Sequence, residues 1–87
     1  MGENEFILLC TFMGENDDDA IDSRMKALTI EELVEKAADT ALTSSSTVYK
    51  NIQRLIQKGL VKSDGIKKGR NFTYYITTAG KEYVNNV

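Results

Sequence analysis

The sequence predicts a mainly helical chain with one small β-hairpin, an α+β fold in a single domain of 87 residues. Three observations predict it. Apolar residues recur at helical spacing through residues 30–41 and again through 48–56, and capping residues stand in front of both runs. After Gly59 the period changes to alternation. Two turn-forming clusters, Ser63-Asp64-Gly65 and residues 67–71, interrupt that alternating stretch. The chain is long enough for one core and too short to add a separate effector pocket.

Residues 4–13, NEFILLCTFM, are apolar on nearly every side and read as a first helix ended by Gly14, with a buried strand as the competing assignment. One small core cannot hide that whole circumference, so the sequence predicts a homodimer through the terminal helices, with Phe6, Leu9, Phe12 and Met13 in the contact. Cys10 reads as a small core or interface residue, because no base lies nearby in sequence to stabilise a thiolate. Residues 14–28 begin acidic and end with Arg24 and Lys26, a layout that suits a short helix over 19–27. A solvated loop is the alternative. Consecutive Asp17, Asp18 and Asp19 lack the alternating ligands and turn glycine of a calcium loop.

Thr29 and Glu32 form an S/T-x-x-E capping box, and Ile30, Leu33, Val34, Ala37, Ala38 and Ala41 continue as a helical stripe of about twelve residues. That helix leads almost at once into the next, which runs over 44–58. Two helices joined so tightly form a helix-turn-helix. In the second of them Val48, Ile52, Leu55 and Ile56 make the apolar stripe, Thr43 or Ser44 caps the start, and Gly59 ends it. Its outer face is rich in hydroxyls and amides and carries Lys50, Arg54 and Lys58 without any acid. A helix turned only to solvent is more often covered with mixed Glu and Lys, so this face reads as one that contacts DNA.

Leu60 and Val61 open a strand, and Phe72, Tyr74 and Ile76 alternate with Thr73, Tyr75 and Thr77 in a hairpin whose tip carries Lys67, Lys68 and Arg70. Thr77 or Thr78 then caps a last short helix, where Tyr83, Val84 and Val87 can pack on the first helix or on a second copy. The expected divisions are an N-terminal helix and acidic linker over 1–28, the helix-turn-helix over 29–58, the hairpin over 59–77 and the C-terminal helix over 78–87.

The net charge of −2 conceals a strong polarity: residues 1–40 carry eleven acids against three bases, and residues 41–87 eight bases against two acids. Binding to phosphates depends on a local basic face, since charges are screened over about 10 Å at 0.1 M salt. A basic run is often only a solvated face, but this one coincides with the candidate reading helix. With no His and one Cys, neither an ordinary zinc site nor a nucleophile and base pair can be assembled, so neither a cofactor nor a catalytic residue is expected. Residues 6–13 fall far short of the roughly 20 needed to span a bilayer and follow acids, which reads as a cytoplasmic protein without a membrane span.

At STVYKNIQRLIQKGLV, followed by a basic hairpin and YYITTAGKEYV, the sequence resembles the winged helix-turn-helix proteins of the MarR and PadR-like kind over residues 29–84. Ile76-Thr77-Thr78-Ala79-Gly80 corresponds to that family's L-T-x-x-G at the end of the wing. The resemblance implies a recognition helix in the major groove and a wing on the adjacent minor groove or backbone. It places Ser45, Ser46, Thr47, Tyr49 and Lys50 at base or phosphate contacts beside the capping Ser44, Arg54 on a phosphate, and Lys67, Lys68 and Arg70 at the wing tip. Between Leu33 and Val48 this chain has about one helical turn more than that family's spacing, and the turn glycine is missing. By size and architecture it also resembles the TubR-like centromere-binding adaptors of plasmid and phage partition systems, which implies a filament-forming GTPase as partner. The leading expectation is a homodimeric repressor on double-stranded DNA. The alternatives are a partition adaptor and a winged-helix module that binds another protein through its acidic half.

Overall fold

The computed structural model describes residues 1–65 and 67–86, with every side chain among them except that of Asp17. Helix α1 spans Glu3–Met13, α2 Ile30–Lys36, α3 Ser45–Gln57 and α4 Thr78–Asn85. Strands β1 Val61–Lys62, β2 Lys67–Lys68, β3 Asn71–Phe72 and β4 Tyr75–Ile76 lie between α3 and α4. The mainly helical fold with one small antiparallel wing is the architecture the sequence predicts.

Helix α1 presents Leu8, Leu9 and Phe12 to the core, all of them fully buried, and packs against α3, α4 and β4. This corrects part of the dimer expectation. Leu9 and Phe12 have no surface left for a second copy, because the chain's own core has already closed over them. Phe6, Met13 and Val84 stay half-buried and Tyr83 exposed. Cys10 is exposed rather than in the core, and desolvation pushes its thiol up, away from the reactive thiolate. Val87, also expected to pack here, lies outside the described residues.

The short helix expected over 19–27 does not form; the loop alternative holds, with one 3₁₀ turn at Asp17–Asp19. Backbone bonds that a helix would use internally go elsewhere. The Ile21 amide donates to the Phe12 carbonyl at 2.7 Å, the Ile76 amide to the Ile21 carbonyl at 2.8 Å, and Leu28 pairs with Tyr74 as an isolated antiparallel bridge. Residues 20–28 thus lace α1 to the base of the wing. Two ionic straps add to the lacing: Arg24 meets Asp64 at 3.1 Å, and Lys81 meets Asp22 at 2.8 Å.

Helix α2 starts as expected. Thr29 accepts from the Glu32 amide at 3.2 Å, and the Glu32 carboxylate accepts from the Thr29 amide at 3.0 Å. It ends at Lys36, about five residues early. The Thr40 hydroxyl bonds the Ala37 carbonyl at 2.7 Å and accepts from the Leu42 amide at 3.1 Å, which offers the backbone an alternative to the helix. Ala37 and Leu42 are nevertheless buried, so the apolar stripe continues through a turn that periodicity reads as helix. Residues 37–44 form the connection from α2 to α3.

In the wing, β1 pairs with β4 in the register Val61 to Ile76, and β2 pairs with β3 as Lys67 to Phe72 and Lys68 to Asn71. Gly69, at φ +67, occupies the first of two loop residues, where a hairpin turn of this length demands positive φ. Thr77 caps α4 by accepting from the Gly80 amide at 3.1 Å while donating to the Gly59 carbonyl at 2.7 Å. A Cβ on Gly80 would collide with the Leu60 carbonyl and lie 2.6 Å from Cγ1 of Ile76, which explains glycine at the end of that motif.

Candidate nucleic-acid interface

Helix α3 seats its inner face through Val48, Ile52 and Leu55, all without solvent exposure. Ser45, Ser46, Tyr49, Lys50 and Arg54 lie on the outer arc and are exposed, while Thr47 is half-buried at its edge. Ser44 is the cap. Its oxygen accepts from the Thr47 amide at 3.3 Å, its hydroxyl donates to the Thr47 hydroxyl at 2.9 Å, and the Ser46 hydroxyl stands 3.4 Å away. The three hydroxyls therefore hold one another in place at the helix entry, where the first turn contains no acid. Beyond Lys58, Gly59 at φ +75 donates to the Ile56 carbonyl and the Leu60 amide to the Leu55 carbonyl, the paired bonds of a Schellman end.

Asn51, which the sequence reading passed over, stands on the buried stripe with only 4% exposure and donates its amide to the Thr47 carbonyl at 2.8 Å. Its signal in the sequence is an amide one turn from both Val48 and Leu55. Burial first, and charge interaction with Tyr49 second, push the Tyr74 phenol up.

The eight bases of residues 41–87 divide into two groups. Lys58 meets the buried Glu5 at 2.9 Å, Lys62 meets Asp64 at 3.4 Å, Lys68 meets Glu32 at 2.8 Å, and Lys81 meets Asp22. Lys50, Arg54, Lys67 and Arg70 form no salt bridge with a described residue and are exposed. Of the predicted wing-tip cations, Lys68 is thus tied to α2, Lys67 lies over the Phe72 ring, and Arg70 stands in the turn. Glu32 is held ionised chiefly by its hydrogen bond from Lys68 and then by the Thr29 amide. No helix among the described residues is long and apolar enough to cross a membrane, and no group of acids or Cys among them is arranged to hold a metal.

An exposed, hydroxyl-rich helix on a rigid apolar seat, beside a basic two-stranded wing, defines a winged-helix regulator that binds DNA. The chain belongs to the penicillinase repressor family, whose profile matches residues 19–87. Among solved structures it is similar to Bordetella bronchiseptica BpsR, a protein whose DNA binding is regulated by 6-hydroxynicotinic acid, with a TM-score of 0.72 over 99% of this chain. At 18% identity that likeness is one of fold, and this chain spans 55% of BpsR. It is also similar to the DNA-binding TubR fragment of Clostridium botulinum, at a TM-score of 0.72 and 28% identity over 99% of this chain and 95% of the fragment. No curated protein sequence matches it.

Proposed function

We propose that the chain acts in the cytoplasm as a homodimeric, sequence-specific repressor on double-stranded DNA, a binding protein rather than an enzyme. Residues 1–87 act as one DNA-binding unit. Ser45, Ser46, Thr47, Tyr49 and Lys50 meet bases and phosphates in the major groove, with Ser44 ordering the entry. Arg54 holds a phosphate, and Lys67, Lys68 and Arg70 follow the backbone from the wing. The observation that carries this reading is the sorting of cations: among the described residues, the bases of residues 41–87 that form no salt bridge are Lys50 and Arg54 on the outer face of α3 and Lys67 and Arg70 at the wing tip. A second copy docks on the half-covered side of α1 and α4 at Phe6, Met13, Tyr83 and Val84.

Salt titration tests it. With six to eight phosphates neutralised per dimer, log affinity should fall against log salt with a slope of about −5 to −7. Duplex affinity that stayed constant between low and moderate salt would overturn the proposal.

A second reading, a partition adaptor that works with a filament-forming GTPase, is favoured by one observation. The chain spans 95% of the TubR fragment at 28% identity, whereas it spans 55% of BpsR at 18%. Footprinting separates the two: a repressor protects one or two palindromes, and an adaptor protects an array of repeats.

A further inference from the structure

We infer that Phe72 is a positioning residue for DNA binding: its ring holds the Lys67 ammonium on the free face of the wing. This rests on the DNA-binding reading proposed above. Alternation along 72, 74 and 76 would turn Phe72 inward with Tyr74 and Ile76, which are 6% and 1% exposed. Instead Phe72 is 46% exposed and Thr73 is 6% exposed, so the strand shifts its inward parity between β3 and β4 and carries the ring out to solvent.

A single exposed apolar side chain is ordinary. This one is placed with a cation. Phe72 is the direct cross-strand partner of Lys67, and the Lys67 ammonium stands 4.8 Å from the ring centroid, within cation–π range. The neighbouring pair, Lys68 and Asn71, projects from the other face, and Lys68 is bound there to Glu32 on α2. The two faces of the hairpin therefore differ: one is anchored to the body of the protein, the other carries Lys67 over Phe72 beside the exposed Arg70. A lysine on a flexible stem loses side-chain entropy when it settles on a phosphate. The ring restricts that stem beforehand.

Two measurements test it. In the free protein, NMR should show the Lys67 ε-methylene protons shifted upfield by the ring, and Phe72→Leu should return them to the position of an ordinary lysine. In fluorescence anisotropy with a labelled mixed-sequence duplex, Phe72→Leu should weaken binding by about 2- to 5-fold in the wild-type background. It should cost almost nothing in a Lys67→Ala background, and Phe72→Tyr should retain wild-type affinity. Equal losses from Phe72→Leu in both backgrounds, or unshifted Lys67 protons in the wild type, would overturn the inference. A wild-type protein that shows the shifted protons but binds no duplex would instead overturn the DNA-binding reading, and the positioning role with it.

Discussion

Replacing Glu5 by Gln should destabilise the fold sharply although the two side chains have the same shape. Glu5 is 3% exposed and uses both carboxylate oxygens: Oε2 accepts from the Gly2 amide at 2.6 Å and Oε1 accepts from the Lys58 ammonium at 2.9 Å. Gln has one acceptor, so one of those donors would face an NH₂ group. A hydrogen bond to a charged group contributes about 1.5–3 kcal/mol. The Lys58 side chain is 43% exposed, and water recovers part of its loss, which favours the lower end, about 1.5–2 kcal/mol. For a domain of this size that corresponds to a fall in Tm of about 6–16 °C. The bond from the Gly2 amide, then that from Lys58, holds the Glu5 carboxyl below its ordinary 4.5. A depressed carboxyl contributes stability in full above its unfolded value, and that contribution disappears as pH falls through the folded one. Thermal melts followed by circular dichroism should therefore show the widest gap between wild type and variant at neutral pH, closing as the solution is taken below 4.5. A Tm difference under about 3 °C at neutral pH, or a gap that does not change on acidification, would refute the assignment.

Glu32→Gln should raise affinity for mixed-sequence duplex by about 2- to 5-fold, because Gln still serves the Thr29 capping box while Lys68 is released to a phosphate; weaker binding would show that the tether orders the wing instead. Lys50→Ala should lower discrimination between target and random duplex by roughly tenfold or more, read as the ratio of the two dissociation constants, and an unchanged ratio would remove Lys50 from base contact. Gly80→Ala should cost about 1–3 kcal/mol in chemical denaturation, since the added methyl meets the Leu60 carbonyl and Ile76.

What the sequence disclosed is what short-range chemistry decides. The inner stripe of α3, the left-handed Gly59, the capping box at Thr29 and Glu32, and the Thr77 cap each depend on residues within about one turn of one another, and the structure has all four. The early end of α2 was hidden because Ala37 and Leu42 stay buried, so the apolar pattern persists where the hydrogen bonding has changed. The linker over 20–28 was hidden for a different reason: its backbone partners are Phe12, Tyr74 and Ile76 on distant elements. Ion pairing was the least legible part. Glu5 and Lys58 are 53 residues apart, Asp22 and Lys81 59, and Glu32 and Lys68 36, separations over which local charge counting has no force.

That pairing changes what the polarity of the sequence means. Glu5, Asp22 and Glu32 of the acidic half each meet a lysine of the basic half, so part of the acidic excess serves as internal counter-charge rather than as a docking surface. It also sets two kinds of support for the interface. Helix α3 is held by packing of fully buried Val48, Ile52 and Leu55, which salt does not weaken, whereas Lys68 is held by an ion pair whose lysine is 65% exposed, which salt does weaken. On the proposed function, a Lys68 that met a phosphate would give up the Glu32 carboxylate at the moment the DNA gives up a counterion. Its net gain is smaller than that of a free cation. The salt slope should accordingly be carried by Lys50, Arg54, Lys67 and Arg70, at about 0.9 per phosphate met, and Lys68→Ala should shift it least among the five cations. Should Lys68→Ala flatten the slope as much as Arg54→Ala, the Glu32 contact would have no hold on the lysine in solution.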